Sequence, residues 1–247
     1  MANSFSKGVV LSIVIPSFSQ AKELEGALKS IDTQTFRNFE VLVVDAGSDE
    51  TVRAVIDKFS HLPIKFTSEP DKGIYDAMNK GIDKSAGDYL YFMGCDDRLA
   101  SSNVLSLMFD DKSNTKNDFL YGNVIFTSNN SVYDGKFGML KLIHKNICHQ
   151  AIFVKRAVFN KLGKFNPRYK YLADWVFNME CFSNSSIKKK YINVVVALYN
   201  NQGSSFSNPD YSFAEDRGAL ERRYFPMIIR YIHYRKGLIF ETLVDYL

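Results

Sequence analysis

Acidic residues follow two apolar segments of the chain, and one adjacent pair of them could hold a metal ion. Asp45 follows the segment 39–44, and Asp96 and Asp97 come shortly after the segment 89–93. Adjacent carboxylates repel each other, and each loses hydration when it is buried. A divalent cation relieves both penalties, and Mg²⁺ or Mn²⁺ held by carboxylates completes its shell with water and substrate phosphates. Asp96 and Asp97 therefore predict a metal site for a phosphate-bearing ligand, and a solvated turn is the alternative.

Two more polar features near these acids suit a nucleotide. A carboxylate at the position of Asp45 can accept hydrogen bonds from a ribose hydroxyl or a base N–H, although an Asx-turn or a helix cap is equally open to it. In the segment 69–81, Lys72 can meet a phosphate as a point charge. Asp76 and Asn79 share a helix face there, which a solvated face would also explain. The G-x-G-x-x-G and G-x-x-x-x-G-K-[ST] patterns do not occur in the sequence, so the usual dinucleotide and P-loop fingerprints are excluded.

The elements that must position these residues alternate between strand and helix. Short β-branched and aromatic runs predict strands, and apolar residues three to four apart predict amphipathic helices. The order over the first hundred residues is strand 9–15, helix 19–31, strand 39–44, helix 49–59, strand 64–67, helix 74–85 and strand 89–93. This alternation predicts a parallel sheet with right-handed crossovers, in which ligands bind at the carboxyl ends of the strands.

The chain is less regular after about residue 115. Its patterns predict strands at 119–126 and 191–198, helices at 155–162 and 174–182, and a helical tail from 211 that is kinked near Pro226. The second half therefore adds mixed elements to the alternating first half.

Length and composition exclude several classes of protein. The chain has 247 residues, of which 46% are hydrophobic and 23% charged, so disorder and low-complexity arrays are not expected. Its three cysteines, Cys95, Cys148 and Cys181, form no C-x-x-C pair, which favours a reducing, cytosolic setting over a disulfide framework or a zinc site. No segment approaches the roughly 18–20 apolar residues of a membrane span, so we expect a soluble or peripheral protein.

Four short motifs stand in order along the first hundred residues, at 12–18, 43–48, 69–81 and 87–97. Together they resemble family 2 glycosyltransferases with the GT-A fold, especially bacterial enzymes of O-antigen, capsule and exopolysaccharide assembly. The resemblance is strong over residues 10–110 and extends more weakly to about 205. It implies an α/β fold with a Rossmann-like, mostly parallel sheet flanked by helices and a C-terminal helical tail.

The resemblance also implies a division of the chain and roles for single residues. Residues 1–115 would bind the nucleotide-sugar donor, residues 116–205 would bind the acceptor within the same domain, and residues 206–247 would form the tail. Asp97 is the expected ligand of Mn²⁺ or Mg²⁺. The residues expected to contact the nucleotide and the donor sugar are Pro16, Ser17, Phe18, Asp45, Lys72, Gly73, Asp76 and Asp96.

Two departures from the family pattern affect this assignment. Gly94 and Cys95 stand where polar residues are more usual, which leaves the first carboxylate of the motif open. The loop after Asp45 is one residue shorter than the common D-G-G-S-T-D form, which leaves the role of Asp49 open.

The second half supplies the remaining candidate site residues. The segment 171–177 resembles the family segment that carries the general base, which implies that role for Asp174, although its position also suits a helix N-cap. Trp175 either stacks on a sugar or belongs to the core. His149 and Gln150 lie in a further family-like segment and would face the donor sugar or the acceptor, with a structural histidine as the alternative.

The positive charge of the chain is concentrated near its end. Against Glu221, the segment 217–236 carries six basic residues, while the formal charge of the whole chain is only +4: Arg217, Arg222, Arg223, Arg230, Arg235 and Lys236. Apolar and aromatic residues alternate with them, which predicts that 211–247 contacts a membrane surface. The alternative is a helix that packs its apolar face on the domain. Nucleic-acid binding is not expected, because the rest of the chain has no basic stripe.

These observations and the resemblance together predict one activity and leave two alternatives. We expect an inverting, metal-dependent glycosyltransferase that moves a sugar from a nucleotide diphosphate donor to a saccharide or lipid-linked saccharide in surface polysaccharide biosynthesis. We expect it in the cytoplasm, peripheral to the inner face of the membrane. The alternatives are a nucleotidyltransferase and a sugar-nucleotide-binding or scaffold protein without turnover.

Overall fold

The computed structural model describes residues 9–47, 50–200 and 208–244, with side chains through residue 235. The strands of this part of the chain belong to one mixed sheet. They are β1 (Leu11–Ser17), β2 (Phe39–Asp45), β3 (Ile64–Ser68), β4 (Tyr89–Phe92), β5 (Arg98–Leu99), β6 (Phe119–Phe126), β7 (Val132–Tyr133), β8 (Ile152–Lys155) and β9 (Lys189–Tyr199).

Helices cover both faces of this sheet. They are α1 (Ala21–Asp32), α2 (Glu50–Asp57), α3 (Ile74–Lys84), α4 (Val104–Phe109), α5 (Met139–Leu142), α6 (Arg156–Leu162), α7 (Ala173–Ser183), α8 (Tyr211–Tyr224) and α9 (Met227–Val244). A short 3₁₀ helix at His149–Ala151 leads directly into β8.

The strand order is β3-β2-β1-β4-β8-β6-β9-β5, and β7 pairs with β6. The strands β1 to β4 are all parallel, so the predicted parallel sheet of the first half is confirmed. β8 runs antiparallel to both β4 and β6, and β6 is parallel to β9. The fold is therefore α/β with a mostly parallel sheet, and the sheet continues across the division predicted at residue 115.

Alternating side chains of the strands build a core on each face of the sheet. Ile13 and Ile15 of β1 pack with α1, α2 and α4, whereas Val14 packs with α3, α6, α7 and α8 on the opposite face. Strands buried on both faces read as continuous apolar runs, which is why the first half was predictable from its sequence. β8 and α4 were not predicted, because four and six residues give too little periodicity.

Glu40, the second residue of β2, connects this strand to the amino ends of β1 and β3 and to the segment before β4. Its Oε1 atom accepts hydrogen bonds from Ser12 Oγ and from the Ala86 N–H, both at 2.6 Å, and its Oε2 lies 2.7 Å from Lys65 Nζ. Burial alone would raise the pKa of Glu40, but the hydrogen bonds from Lys65, Ser12 and the Ala86 N–H outweigh it, and the pKa lies below the usual value. This carboxylate has a structural role.

The predicted helical tail is present from Tyr211 and is interrupted at Phe225 and Pro226, as expected. Its first helix, α8, packs on the domain, with Phe213 and Leu220 in the core. Arg217 takes part in this packing, because its guanidinium donates a hydrogen bond to the Ile143 carbonyl and lies 4.7 Å from the Trp175 ring.

The second tail helix, α9, leaves an apolar face uncovered. Met227, Ile228, Tyr231 and Tyr234 are all more than half exposed. The predicted contributions of Lys236, Leu238, Ile239 and Phe240 lie outside the described side chains. In the part of the chain that the structure describes, none of the helices is both long and apolar enough to span a bilayer.

Candidate active site

The carboxyl ends of β1 and β2 meet at one edge of the sheet, as the strand alternation predicts. Ser17 and Asp45 are register partners there. Asp45 is fully buried, and its Oδ2 accepts hydrogen bonds from Ser68 Oγ at 2.8 Å and from the Gly47 N–H at 3.1 Å. The bond to Gly47 is that of an Asx-turn, so this local role exists, while contact with a ribose stays a prediction.

A cleft of about 480 Å³ opens at this edge, a volume within the usual range of small-ligand sites. Pro16, Ser17 and Phe18 line it together with Gly73, so the structure brings four of the predicted donor-binding residues to one place. The ring of Phe18 is 65% exposed and has room to meet a flat ligand. Gly73 has a φ of +118° at the start of α3, which favours glycine.

Lys72 and Asp76 flank the same helix start. Asp76 Oδ2 accepts a hydrogen bond from the Lys72 N–H at 3.0 Å and lies 3.4 Å from Lys80 Nζ. Asp76 therefore satisfies a free amide at the beginning of α3, a structural role that sequence spacing did not reveal. Lys72 is exposed, and its predicted contact with a phosphate remains open.

Asp96 and Asp97 lie in the turn after β4, and Asn200 joins them. The Asn200 N–H donates to Asp97 Oδ1 at 3.0 Å, and its side-chain amide donates to Asp96 Oδ2 at 2.8 Å. Gln150 Nε2 and the Gly94 N–H donate to the other oxygen of Asp97, at 2.9 and 3.1 Å. These partners are amides rather than cations.

Asp97 is consequently a poorly compensated charge. It is 1% exposed. Burial, together with repulsion from Asp96, raises the pKa of Asp97 to about 6, although the hydrogen bonds from Asn200 and Gln150 oppose this shift. A divalent cation would remove both causes, and two hard carboxylates are the protein ligands that Mg²⁺ and Mn²⁺ accept beside phosphate oxygens. The donor set therefore fits the predicted metal.

The metal would need ligands from outside this carboxylate pair. Across the described ranges, no three His, Cys, Asp or Glu side chains converge on one point as metal ligands. Two carboxylates completed by water and a diphosphate agree with such a site, because Mg²⁺-type ions commonly keep most of their shell outside the protein.

The two unusual residues before the acidic pair have structural explanations. A Cβ atom on Gly94 would lie 2.7 Å from Asp97 Oδ2 and 2.9 Å from Asp96 Oδ1, so a side chain here would displace both carboxylates. Cys95 is buried, and its thiol donates to the Pro16 carbonyl at 3.1 Å, which ties the turn to the end of β1. Burial raises the pKa of Cys95 to about 12, so the thiol is inert at neutral pH.

Asp174 forms a second acidic centre across the site, on the first turn of α7. Its Oδ1 accepts from Tyr75 Oη and from the Trp175 N–H, both at 2.8 Å. Its Oδ2 accepts from Asn146 Nδ2 at 2.9 Å and lies 3.3 Å from His149 Nδ1. The N-cap of α7 is Leu172, so Asp174 is not the helix cap that its position allowed.

A dipeptide connects the two acidic centres. His149 contacts Asp174, and the next residue, Gln150, contacts Asp97. Gln150 is buried, and its carbonyl accepts from the hydroxyl of Tyr91 at 3.0 Å. The 3₁₀ helix before β8 therefore holds both contacts in fixed positions.

Beside Asp174 lies a cavity of about 190 Å³, called the aromatic cavity below because five Phe and Tyr rings line it. Its wall adjoins the larger cleft at Ile74, which lines both. The polar groups at this cavity come from Asn146, His149, Gln150 and Asp174, and the rings come from Tyr75, Phe126, Tyr133, Tyr171 and Tyr199.

Trp175 is placed away from this cavity. Its ring stacks on Phe213 at a centroid distance of 5.2 Å, Arg217 lies 4.7 Å from it, and its Nε1 donates to the Leu142 carbonyl. This packing agrees with the alternative that Trp175 belongs to the core. Trp175 is not among the residues that line the cavity beside Asp174.

Sequence reasoning missed Tyr75, Asn146 and Asn200. Tyr75 stands inside the polar segment 69–81 and could have been suspected, because a tyrosine among helix-surface residues is available for a hydrogen bond. Asn146 and Asn200 carried no signal, since their roles depend on contacts 28 and 103 or 104 residues away along the chain.

An open α/β sheet with a carboxylate pair and an apolar-walled cleft at its carboxyl edge is the arrangement of GT-A glycosyltransferases, which use nucleotide-sugar donors. Glycosyl transferase family 2 matches residues 12–195 of the chain. The chain therefore belongs to this family, and the predicted GT-A fold is confirmed.

Two curated relatives of the chain are glycosyltransferases. A PGL/p-HBAD biosynthesis glycosyltransferase of Mycobacterium bovis is 40% identical over 199 residues, covering 78% of each chain. The UDP-Glc:alpha-D-GlcNAc-diphosphoundecaprenol beta-1,3-glucosyltransferase WfgD of Escherichia coli is 31% identical over 129 residues, covering 52% of this chain and 50% of its own.

Two solved structures share the fold. TarS 1–349 of S. aureus in complex with UDP-GlcNAc has a TM-score of 0.70 at 18% identity, with 81% of this chain and 61% of that chain covered. The mannosyltransferase PcManGT of Pyrobaculum calidifontis, in complex with GDP-Man and Mn²⁺, has a TM-score of 0.64 at 14% identity and coverages of 82% and 59%. The chain thus spans about three fifths of each of these solved chains.

Proposed function

We propose that this glycosyltransferase moves a sugar, with inversion, from a nucleoside diphosphate donor to a hydroxyl group of a saccharide or lipid-linked saccharide. The observation that carries the proposal is the dipeptide His149-Gln150, which touches Asp174 on one side and Asp97 on the other. An inverting transfer is one in-line displacement, so it needs a base and a site for the leaving diphosphate on opposite sides of one carbon. Asp174 and Asp97, contacted by two adjacent residues, would supply the base and the leaving-group site within one active site.

The donor nucleotide would occupy the cleft of about 480 Å³ at the carboxyl edge. Phe18 would stack on the base, and Asp45 would remain close to the ribose side of this cleft. Lys72 would meet the diphosphate as a point charge. UDP-GlcNAc in a structural neighbour and GDP-Man in another support a nucleotide-sugar donor for this fold.

Asp97 would hold Mn²⁺ or Mg²⁺, and Asp96 would face the donor beside it. When bound, such an ion supplies Lewis-acid stabilisation for a diphosphate leaving group. The raised pKa of Asp97 supports this role, because the carboxylate lacks a cation of its own. Gln150 and Asn200 would keep the carboxylate in place by their hydrogen bonds.

The acceptor would enter through the aromatic cavity beside Asp174. Rings such as Tyr171 and Tyr199 present apolar faces that pack against the C–H face of a sugar. Asp174 would act as the general base that removes the proton of the acceptor hydroxyl. The WfgD relative, whose name contains a diphosphoundecaprenol-linked acceptor, supports a lipid-linked saccharide and a place in surface polysaccharide or glycolipid biosynthesis.

The uncovered face of α9 would rest on an anionic membrane surface. Met227, Ile228, Tyr231 and Tyr234 form its apolar part, and the exposed Arg235 provides positive charge beside them. Apolar and basic side chains on one interfacial helix add hydrophobic burial to attraction for anionic lipids. The protein would then work in the cytoplasm at the inner face of the membrane, where a lipid-linked acceptor is presented.

A donor screen tests the catalytic proposal. We expect one class among UDP-, GDP-, CMP- and dTDP-sugars to bind with Mn²⁺ and to be hydrolysed slowly without acceptor. Asp97→Ala should weaken metal-dependent binding, and Asp174→Ala should spare binding and abolish transfer. Asp57→Ala, on the exposed surface of α2, is the matched control. Unchanged transfer by the Asp174 variant would contradict its role.

Vesicle flotation tests the membrane proposal with the full chain. Phosphatidylglycerol vesicles at low salt should retain the protein, and neutral phosphatidylcholine vesicles should not. Ile228→Glu with Tyr231→Glu should abolish retention, whereas Leu107→Glu, at a similarly exposed apolar position on α4, should not. Equal retention of the first variant would exclude α9 as the contact.

A further inference from the structure

A further cleft, with a volume of about 390 Å³, adjoins the aromatic cavity. We call it the lysine cleft, because Lys72 and Lys170 are in its lining. Ile74, Tyr75 and Tyr171 line both the lysine cleft and the aromatic cavity, so the two share a wall. A ligand that fills the aromatic cavity can therefore extend into the lysine cleft.

The lysine cleft has an excess of positive charge. Its lining contains two lysines and one acid, Asp76, which already accepts from the Lys72 N–H and lies 3.4 Å from Lys80 Nζ. Lys170 is exposed, and no carboxylate among the described residues pairs with it. Its Nζ lies 5.3 Å from the centroid of the Tyr171 ring. The ammonium group of Lys170 is thus available to an anion in the cleft.

The main chain around Lys170 is held in place by α8. Arg168 Nε donates to Asp216 Oδ2 at 2.9 Å, and the Tyr169 hydroxyl donates to the same oxygen at 3.0 Å. The charge of Arg168 is therefore used inside the fold, and the charge of Lys170 is not. A cation presented from a fixed segment is better placed to bind a ligand than one on a mobile loop.

The two acceptor classes of the proposed function differ in charge. A simple saccharide is neutral, whereas a saccharide carried on a prenyl lipid is joined to it through phosphate. An ammonium group binds phosphate oxygens as a point charge. The donor diphosphate is already assigned the cation at Asp97 and the charge of Lys72, which leaves Lys170 for a second phosphate group.

We propose that Lys170 binds the diphosphate of a prenyl-diphosphate-linked saccharide whose sugar lies in the aromatic cavity. This inference rests on the proposed function and chooses between its two acceptor classes. Pro167 and Tyr171 add apolar surface beside Lys170, which suits the first units of a prenyl chain. The lysine cleft is then the place where the acceptor leaves the catalytic centre toward its lipid.

Calorimetric titration of the full chain with farnesyl diphosphate tests the site without turnover. EDTA keeps metal away from Asp97, and low salt preserves the attraction between exposed charges. We expect Lys170→Gln to weaken binding about tenfold and Lys170→Arg to keep it within about threefold. Lys112→Gln, at an exposed lysine that also lacks an acidic partner among the described residues, should bind normally. Equal binding by Lys170→Gln and the unaltered chain, or no binding by either, would overturn the proposal.

Competition separates the lysine cleft from the donor cleft. The nucleoside diphosphate selected by the donor screen, at saturation with Mn²⁺, should leave farnesyl diphosphate bound. Its displacement would place both diphosphates in one site and overturn the proposal. A chain that binds no sugar nucleotide would contradict the proposed function, while the farnesyl diphosphate titration still decides the role of Lys170.

Kinetics provide a second readout. Two acceptors with the same saccharide are compared, one linked to prenyl diphosphate and one to a neutral octyl group. The ratio of their kcat/KM values should fall about tenfold in Lys170→Gln, because only the first acceptor has a charge for Lys170 to bind. An unchanged ratio would show that Lys170 does not recognise the diphosphate.

Discussion

Glu40 and Asp97 are both buried carboxylates of the same sheet, at opposite ends of its strands. Glu40 is paired with Lys65 and receives two further hydrogen bonds, and its pKa lies below the usual value despite its burial. Asp97 has only amides and a second carboxylate around it, and its pKa is raised to about 6. The negative charge of Glu40 is compensated within the protein, and the negative charge of Asp97 is not.

This difference separates a structural acid, Glu40, from the proposed metal ligand, Asp97. A buried charge that stabilises the fold needs its compensating groups in the folded chain itself. A buried carboxylate without a neighbouring cation lowers the stability of the fold. Such a carboxylate is retained in a protein where a bound ligand brings the compensating positive charge. The contrast is a physical reason to place the metal and diphosphate at Asp97 and not elsewhere on this sheet.

The largest expected effect is a loss of activity when the charge of Asp97 is removed. Asp97→Asn keeps the shape of the side chain but removes the charge that would hold a cation. We expect transfer, or slow donor hydrolysis, to fall about 1,000-fold or more, while the circular dichroism spectrum stays unchanged. Kinetics with saturating Mn²⁺ measure this loss, and activity within tenfold of the unaltered chain would remove Asp97 as the metal ligand.

Gly94→Ala should disturb the same site without touching its charge. The added Cβ would lie within 2.9 Å of an oxygen of each carboxylate, so the pair must shift. Displacing groups around a metal site commonly costs 10- to 100-fold, and we expect a loss of that size in metal-dependent donor binding. Calorimetric titration measures it. Gly138→Ala, where a Cβ meets nothing within 4 Å, should bind the donor normally.

Glu40→Gln should show the opposite profile, with lost stability and retained activity. The amide oxygen can still accept from Ser12 Oγ and the Ala86 N–H, but the amide nitrogen then faces Lys65 Nζ, so two donors meet there. Because Lys65 is 58% exposed and can be solvated, we expect a moderate loss of about 2 kcal/mol in the free energy of unfolding. Urea denaturation measures this. The folded variant should retain its specific activity, and a large loss of activity would break the contrast.

Acid titration should show opposite signs for the two carboxyls. The contribution of Glu40 is present at neutral pH and is lost as the pH falls below about 4.5, through its lowered folded pKa. For Asp97 the folded pKa of about 6 exceeds the ordinary pKa of 3.8, so the folded state binds the proton more tightly and loses stability as the pH rises from 3.8 to 6.

Metal-free protein measured at pH 4.5 and 6.5 should therefore lose roughly 1–2 kcal/mol at Asp97 over this interval. Asp97→Asn should lack this component, and the difference between the two unfolding curves is the quantity to measure. Parallel curves for the two proteins would show that Asp97 does not carry a raised pKa.

The parts of the fold that were predictable are those that depend on local pattern. The strands β1 to β4 are predicted by apolar runs, and the helices α1 to α3 are predicted by helical spacing of apolar residues. The clustering of acids at the carboxyl ends of the strands follows from the topology of a parallel sheet. β8 has four residues and no periodicity, so its antiparallel place between β4 and β6 could not be read from the sequence.

The residues of the candidate site also include some that were predictable from the sequence and others that were not. Asp96, Asp97 and Asp174 could be proposed from their positions and from the family resemblance. The hydrogen bonds that decide what each carboxylate can do come from Tyr75 and Asn200, which are distant in sequence from the carboxylates they contact. A sequence names the charged groups of a site more readily than it names their neutral partners, because the partners carry no composition signal.

The place of β8 in the middle of the sheet restricts how this enzyme can be recombined. A chimaera that exchanged residues 116–200 for those of a relative would replace three interior strands, β6, β8 and β9, together with the pairing of β8 to β4. It would also move the dipeptide that contacts both acids. With the acceptor in the aromatic cavity, as proposed, exchange of the loops around this cavity is the expected route to new acceptors, and exchange of halves is not.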